Sequence, residues 1–582
     1  SLVKGANLQM ENVYSALDNL DSPIYDTKVE VDANFKRIIT YAVHKDRMPY
    51  VHIGLGSHNL FDIAYTWILV EREGLQKYFT FEILEGMSDH LALFLQKHVH
   101  QTLLYTPVVR SEHFFYAIAY LFRRLDENSG PQNFLKHAFG LTSKSKNWDH
   151  LVSIYEESIA LIPTLLTGEK RRQNRLEHSK PNLSNRTFFV NQDNTDFYSP
   201  KSYGWAKSIR NRWENIGPLH DVTFLNKKDI EAVIDTAEKT SSKWQTLTVK
   251  ERQTILFNVG KKLKEKRGDL IGIAAFENGK LFQESDVEIS EAIDFANYYA
   301  YSMTQLEDFP NITFSAKGVV LVIAPWNFPI AIPAGGVLAA LAAGNTAILK
   351  PATQSRQIAT MMANCFWEAG VPKDAFQLIH TNDTDALTAL TSSPVIKHII
   401  FTGSTETAQK IKISNPNIPL SAETGGKNVI YVSDLCDDDM AIKSVVTSAF
   451  GHSGQKCSAC SVLLLNKAHY NDPSFMEKLK DTAESLVIGT AFHLETQFGP
   501  LTSPVTDKLK QSMDLDGDET WLVKPRLDSS DANLMTPGIK LGVTPKSYSF
   551  RTELFGPLLS VCCVDDIQDA IRTANTLPYG LT

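Results

Sequence analysis

A lone cysteine set among small residues, Gly451-His-Ser-Gly-Gln-Lys-Cys457-Ser-Ala459, is the part of this chain best suited to covalent chemistry on a carbonyl. A thiol at its ordinary pKa is only a few per cent ionised near neutrality, yet that fraction is already a strong nucleophile. Glu423, in Ala-Glu-Thr-Gly-Gly-Lys about one helix and one strand upstream, puts a carboxylate ahead of a Gly-Gly turn. A carboxylate beside such a thiol can activate the water that releases an acyl group from sulfur. Taken alone, a mid-chain Glu reads as a surface residue. Its company with Cys457 reverses that.

The elements around this pair follow a strand–helix rhythm. Strands are expected at 319–324, 346–350, 376–379 and 396–401, with helices at 228–240, 250–266, 285–307 and 404–414. The very apolar run 318–349 contains Pro325, Pro329, Pro333 and Asn327, so it predicts a buried strand–turn–helix–strand and not a membrane span. Near the N-terminus, strands are expected at Leu2–Ala6, Tyr50–Leu55, Tyr78–Leu84 and Thr102–Val108, alternating with helices near 33–46, 60–73, 87–98 and 111–127. Four such β/α units make half of a (β/α) barrel. A half-barrel leaves an open strand edge, and the final Leu-Pro-Tyr-Gly-Leu-Thr stops mid-pattern, so both ends read as cut. Residues 141–227, rich in Lys, Arg, Asn and Ser, read as an irregular connecting arm.

A chain of 582 residues has room for roughly three or four domains. Hydrophobic residues at 43% and charged residues at 21% are those of an ordinary globular protein. The net charge of −8 argues against nucleic acid as a partner of this segment, since phosphate contacts need surplus Lys and Arg. Six cysteines are too few for a disulfide scaffold and favour a reducing cytoplasm. Cys457-x-x-Cys460 lacks a second Cys or His pair at zinc spacing, so no metal is expected and Cys460 is assigned to packing.

Ala324-Pro-Trp-Asn-Phe-Pro329, Leu349-Lys-Pro-Ala352, Phe401-Thr-Gly-Ser-Thr405, Glu423-Thr-Gly-Gly-Lys427, Gly454-Gln-Lys-Cys-Ser458 and Glu553-Leu-Phe-Gly-Pro557 together resemble the NAD(P)-dependent aldehyde dehydrogenase superfamily. Ser421-Ala-Glu-Thr-Gly-Gly is most similar to its glutamate-semialdehyde (pyrroline-5-carboxylate) dehydrogenase branch. The resemblance implies a Rossmann-like domain over 228–424 and a catalytic domain over 425–582. Cys457 would attack the aldehyde, with the Asn327 amide and the Cys457 N–H as oxyanion donors and Glu423 as general base. Such a donor is typically worth ~3 kcal/mol of barrier. Thr402, Gly403 and Ser404, closing a strand and opening a helix, suit a pyrophosphate through free N–H groups and the helix dipole. By resemblance Lys350 lies against the adenosine ribose, Glu553 against the nicotinamide ribose, and Ser458 lines the substrate. NAD is chosen over NADP from the branch.

Residues 1–140 resemble the C-terminal half of a proline dehydrogenase barrel, in Val3-Lys-Gly-Ala6, Lys28 with Asp32, Ser57-His-Asn59, Glu82 to Met87, Tyr105-Thr-Pro-Val108 and Tyr120-Leu-Phe-Arg-Arg-Leu-Asp-Glu127. The resemblance implies FAD lined by Lys4, Gly5, Ala6, Lys28, Ser57, His58, Asn59 and Leu84, and substrate held by Tyr105, Tyr120, Arg123, Arg124 and Glu127. Tyr120, Arg123, Arg124 and Glu127 share one helix side, and paired guanidinium groups can clamp a carboxylate. Spacing alone favours a solvated face with an i,i+3 Arg124–Glu127 pair, and the ordered set of motifs tips the reading to the clamp. Ser1 stands where the family usually has Arg, and the early barrel strands are absent.

The order of the parts is similar to that of bacterial fusion enzymes that oxidise L-proline with FAD, pass electrons to a quinone at the inner membrane, and convert glutamate semialdehyde to glutamate with NAD. The resemblance implies a cytoplasmic homo-oligomer acting on L-proline and pyrroline-5-carboxylate. The alternative is a general aldehyde dehydrogenase with a non-catalytic half-barrel.

Overall fold

The computed structural model describes all residues except 5–7, 18–19, 112–113, 132, 178–188, 217–221, 308, 310, 529–530 and 582, and the side chains of 8–9, 126–129 and 307. The chain divides between Arg172 and Gln173 into two compact units. The first holds α1 (Leu8–Leu17), α2 (Lys28–Ala42), β1 (Ile53–Gly56), α3 (Leu60–Glu73), β2 (Phe79–Leu84), α4 (Asp89–His98), β3 (Thr102–Tyr105), α5 (Phe114–Ser129), α6 (Phe134–His137) and α7 (Lys146–Leu161). Strands β1, β2 and β3 pair in that order, all parallel. Of the strand expected at Leu2–Ala6, Leu2 forms a parallel bridge to Leu55, and Gly5 and Ala6 lie outside the described residues. Helix α2 starts at Lys28, ahead of the expected 33, because Thr27 and Glu30 cap each other's backbone N–H.

The stretch expected to be irregular, 141–227, carries two long helices. Ser145 caps α7, and α8 (Pro200–Trp213) starts on Pro200 and buries Trp205, Ala206, Ile209 and Trp213. Its density of Lys and Arg hid that apolar stripe from the sequence.

The second unit continues with α9 (Lys227–Trp244), α10 (Val249–Glu265), α11 (Arg267–Asn278) and α12 (Phe282–Glu307). There follow β4 (Val319–Ile323), α13 (Ala331–Ala342), β5 (Thr346–Lys350), α14 (Arg356–Glu368), β6 (Phe376–Leu378), α15 (Thr384–Ser392), β7 (Ile396–Thr402), α16 (Thr405–Ser414) and β8 (Leu420–Glu423). These strands form one parallel sheet in the order β6-β5-β4-β7-β8. Strand β4 is apolar throughout because both of its faces are covered. Val320 and Val322 join one core with Leu256 and Val337, while Val319 and Leu321 join another with Ile230 and Ile399. The apolar run 318–349 is therefore the strand–turn–helix–strand expected from its prolines. Among the described residues no helix is long and apolar enough to cross a membrane.

A second sheet comprises β9 (Asn428–Val432), β10 (Cys460–Asn466), β11 (Thr520–Val523), β12 (Gly538–Leu541) and β13 (Leu558–Val564), in the order β11-β12-β13-β10-β9. Only β11 runs antiparallel to its neighbour. Helix α17 (Asp438–Phe450) crosses from β9 to β10. The four-residue link 424–427 joins the end of one sheet to the start of the other.

Candidate active site

In an open parallel sheet, ligands bind beyond the C-terminal strand ends where the strand order reverses. Here that point lies between β4 and β7. The residues following β4, β5, β7 and β8 are Ala324 to Asn327, Lys350 with Pro351, Gly403 with Ser404, and Glu423 with its Gly-Gly turn. All were read from sequence as functional, and the topology brings them to one edge. Thr402 pairs directly with Glu423 across β7 and β8.

One expectation at this edge changes. The Gly403 N–H is not free; it donates to the Glu423 carbonyl at 3.1 Å and ties the two strand ends together. Ser404 caps α16 by accepting from the Thr407 N–H. Gly403 is thus suited to a ligand by its missing side chain and not by its amide. Lys350 stands at its strand end with no hydrogen-bond or ion-pair partner among the described residues, and burial pushes its amine down. Burial also holds His380 at about 4, helped by the charges of Arg356 and Lys350, so its ring is neutral.

Cys457 lies half-buried just before β10, with Ser458 exposed beside it. Burial raises the thiol's pKa, the Ser458 and Cys457 backbone N–H groups oppose this, and the charges of Glu553 and Glu423 raise it further. Both predicted carboxylates therefore reach the sulfur electrostatically. The backbone is drawn tight around it. His452, Ser453 and Gly454 take positive φ in succession, at 51°, 54° and 71°. Non-glycine residues in that region cost on the order of 1 kcal/mol or more each and persist only where neighbours impose them. Here the His452 N–H donates to Glu284 at 2.5 Å and the Ser453 hydroxyl donates to the Gly499 carbonyl at 2.6 Å. A Cβ on Gly454 would lie 2.4 Å from the Gly556 carbonyl oxygen, and one on Gly426 would lie 2.5 Å from the Cys457 carbonyl oxygen. Only glycine lets the three motif segments press backbone on backbone. The Gly426 N–H donates to Glu553 at 2.8 Å, fixing that carboxylate.

Asn327 is buried, and its amide nitrogen donates to the Gln455 carbonyl at 3.1 Å, which joins the two halves of the expected oxyanion site. One amide hydrogen is thereby used and one is left. Three further residues position this machinery without having shown in the sequence. Lys280 pairs with Glu288 at 2.5 Å and donates to the Asn327 carbonyl at 2.9 Å. Glu288 accepts from the N–H groups of Ile330 and Ala331. Asn428 donates to the Cys457 and Ala459 carbonyls at 2.7 and 3.0 Å. Asn428 follows Gly-Gly-Lys at a strand start, a local hint; Lys280 and Glu288 carry no such signal.

Lys427, directly after the Gly-Gly turn, is fully buried, and its ammonium nitrogen has no hydrogen-bond partner among the described residues. Burial drops its pKa to about 7 against the weaker pull of Cys460 and Glu553. Below about pH 7 the folded state carries the full cost of a buried charge. From there to the ordinary lysine value the unfolded chain still binds the proton that the folded one has lost, so stability rises with pH. Lys427→Met is expected to raise the apparent melting temperature near neutrality, by an amount that shrinks as pH rises from 7 towards 10. Paired melts across that range check this; an equal or lower melting temperature for the variant counts against it. Cys460, pushed up to about 12 by burial, is inert packing as expected.

In the first unit, Ser57, His58 and Asn59 follow the C-terminal end of β1 and Leu84 ends β2, while Lys28 opens α2. Ser57 accepts from the Asn59 N–H, Asn59 caps α3, and the Leu84 N–H donates to His58 Nε2 at 3.2 Å. Burial keeps His58 neutral, which leaves Nδ1–H to donate. Lys4 contacts both Asp32, at 2.6 Å, and Asp62. Burial alone would lower its pKa, but Asp62 and Asp32 outweigh that and raise it. Lys28 also pairs with Asp32 yet is lowered, by burial and then by the Lys4 charge. Tyr105 is exposed at the end of β3. On α5 the Arg124 guanidinium lies 5.4 Å from the Tyr120 ring and Arg123 is exposed. Gly5, Ala6 and the Glu127 side chain lie outside the described residues.

Residues 209–582 match the aldehyde dehydrogenase family model and residues 1–137 match the proline dehydrogenase family model. The chain belongs to the aldehyde dehydrogenase family, and the segment that matches the proline dehydrogenase model precedes that part. It is 31% identical over 384 residues to a 1-pyrroline-5-carboxylate dehydrogenase of Staphylococcus aureus (strain MW2), covering 62% of this chain and 74% of that protein. It is 30% identical over 381 residues to 1-pyrroline-5-carboxylate dehydrogenase 2 of Bacillus subtilis (strain 168), covering 62% and 74%. The structure of proline utilization A from Corynebacterium freiburgense superposes with a TM-score of 0.84 at 34% identity, covering 98% of this chain and 55% of that one. Proline utilization A from Bdellovibrio bacteriovorus, inactivated by N-propargylglycine, shares the fold, with a TM-score of 0.86, 24% identity and coverage of 100% and 63%. The chain thus spans somewhat over half the length of these two structures.

Proposed function

We propose that this chain carries the aldehyde-oxidising site, and part of the proline-oxidising site, of a bifunctional enzyme of proline catabolism. L-Proline is oxidised to pyrroline-5-carboxylate with FAD, electrons pass to quinone at the membrane surface, and ring opening yields glutamate semialdehyde. The second site oxidises that aldehyde to L-glutamate with NAD. The whole protein is a cytoplasmic homo-oligomer in this reading. The observation that carries it is that Cys457, within reach of Glu423 and Glu553, meets the Asn327 loop that follows β4 at the strand-order reversal, in a chain whose start matches proline dehydrogenases.

The residues fit the dinucleotide, since Lys350 has an uncommitted ammonium and Glu553 is held as a hydroxyl acceptor by Gly426. NAD bound there supplies the hydride acceptor. Cys457 Sγ adds to the aldehyde carbon. The developing oxyanion takes the remaining Asn327 amide hydrogen and the Cys457 N–H. Loss of hydride leaves an acyl group on sulfur. Glu423 then removes a proton from water, which attacks the thioester and frees glutamate and the thiol. In the first unit His58, Ser57, Asn59 and Leu84 would border the flavin, which supplies the acceptor for proline's electrons. Lys4 and Lys28 would border the flavin as members of ion pairs, both with Asp32 and Lys4 also with Asp62. Arg123 and Arg124 bind the proline carboxylate.

The test is the visible spectrum of the complete protein with and without proline. Flavin bleaching by proline is expected, and a spectrum without flavin leaves the half-barrel a non-catalytic scaffold. Arg123→Met and Arg124→Met should each raise the proline KM at least ~10-fold while semialdehyde turnover holds. An unchanged proline KM removes the clamp.

A further inference from the structure

We propose that Cys436, Asp438 and His469 form a binding site for a divalent metal ion, best matched to zinc, at the end of α17 away from the aldehyde site. Cys436 lies two residues before Asp438, the first residue of α17, and His469 lies in the short helix Lys467–Tyr470 that follows β10. All three are half-buried, and their Sγ, Oδ1 and Nε2 atoms converge within 4.8 Å of one another. No metal was expected from sequence, because residues so far apart show no ligand spacing.

The distances are poor for direct bonds and good for edges of a coordination polyhedron. Sγ stands 3.9 Å from Nε2 and 4.0 Å from Oδ1, while Nε2 and Oδ1 are 3.3 Å apart. A tetrahedral zinc with bonds of ~2.3 Å to sulfur and ~2.0 Å to nitrogen and oxygen has edges of about 3.5 Å and about 3.3 Å. The observed triangle needs only a few tenths of an ångström of closure on the sulfur side.

The tautomer of His469 supplies an independent argument. Asn466 Oδ1 accepts the His469 backbone N–H at 2.9 Å, and an N–H can only donate, so the amide orientation is settled. That same oxygen faces His469 Nδ1 at 3.1 Å, so Nδ1 carries the proton. In the neutral ring Nε2 then turns a lone pair towards the Asp438 carboxylate. Two acceptors at that distance repel unless a cation or a proton sits between them. Metal-bound histidines are held in this way, with the second ring nitrogen donating to an oxygen. The Phe475 ring packs edge-on against the imidazole, with centroids 5.1 Å apart.

The field also favours a cation. Asp434, Asp437, Asp438 and Asp439 all stand within three residues of Cys436. Lys478, the nearby base, is paired with Asp439. Thiolate, imidazole and carboxylate together select zinc over magnesium or calcium, which take oxygen ligands. Three protein ligands leave a fourth position for water. Helix α17 runs from this cluster into the 451–459 turn, and β10 runs from that turn back to His469. A metal here clamps the start of α17 to the end of β10, about 20 Å from Cys457 by the length of the helix.

The test uses the whole chain with Cys457→Ser, so that the catalytic thiol does not compete. Cobalt(II) should bind with one equivalent and show a thiolate-to-cobalt charge-transfer band, and zinc should displace it. Cys436→Ser, a one-atom change, should abolish the band and weaken zinc binding ~100-fold or more; Asp438→Asn and His469→Gln should each weaken it at least ~10-fold. Zinc should raise the melting temperature of the parent and not of Cys436→Ser. A cobalt complex without the band, no binding at all, or equal zinc affinity in the parent and Cys436→Ser overturns the site. Stoichiometric binding abolished only by His469→Gln also overturns it, because the thiolate is then not a ligand.

Discussion

Cys457→Ala is expected to abolish NADH formation from glutamate semialdehyde, a loss of at least ~10⁴-fold in turnover, because no other group at the site can form the bond to carbon. Cys460 is the nearest other thiol in sequence, and it is fully buried with its pKa pushed to about 12. The surrounding turn should survive, since its strain is held by Glu284 and Gly499 and not by the sulfur. The thiol's own raised pKa adds a second expectation. Burial with the charges of Glu553 and Glu423 keeps Cys457 protonated at neutrality. Alkylation by iodoacetamide, followed peptide by peptide, should therefore accelerate with pH well above neutrality. Turnover that persists in Cys457→Ala removes the nucleophile from the mechanism, and an alkylation rate already flat from pH 7 upward shows instead a thiol ionised at neutrality.

Lys280→Met should be nearly as damaging for a different reason. Lys280 and Glu288 are each about 1% exposed, and both reach the Asn327 loop. Removing the ammonium leaves Glu288 charged, buried and unpaired, which costs about 3–5 kcal/mol of stability. It also frees the carbonyl that anchors Asn327, so kcat is expected to fall about 10²-fold while NAD affinity changes little. Lys280→Met with Glu288→Leu should recover part of the melting temperature but not kcat, because no unpaired charge remains while Ile330 and Ala331 lose their acceptor. A single variant that melts and turns over like the parent shows that the pair does not hold the loop.

The contrast between these predictions shows what was legible in sequence. Cys457, Glu423 and Asn327 sit in short stretches whose glycines and prolines announce a turn, and the alternation of strand and helix places each turn at a strand end. The family matches agree with the motifs that carried the resemblance. Lys280 was invisible because its partners are eight and 47 residues away. The amide of Gly403 looked available because its acceptor, the Glu423 carbonyl, belongs to the neighbouring strand. Helices α7 and α8 were lost in a charged composition, although each buries a stripe that only packing reveals.

Residue order alone pointed to Cys457 and Glu423 and to the β/α rhythm, because periodicity and turn chemistry are written within a few neighbours. Protonation and pairing were decided in three dimensions. Whether Lys427 is charged, which N–H groups are free, and whether Cys436 meets His469 all depend on how deeply distant segments bury one another. Burial strengthens or penalises each charge according to what happens to lie within a few ångströms. No local pattern carries that distance.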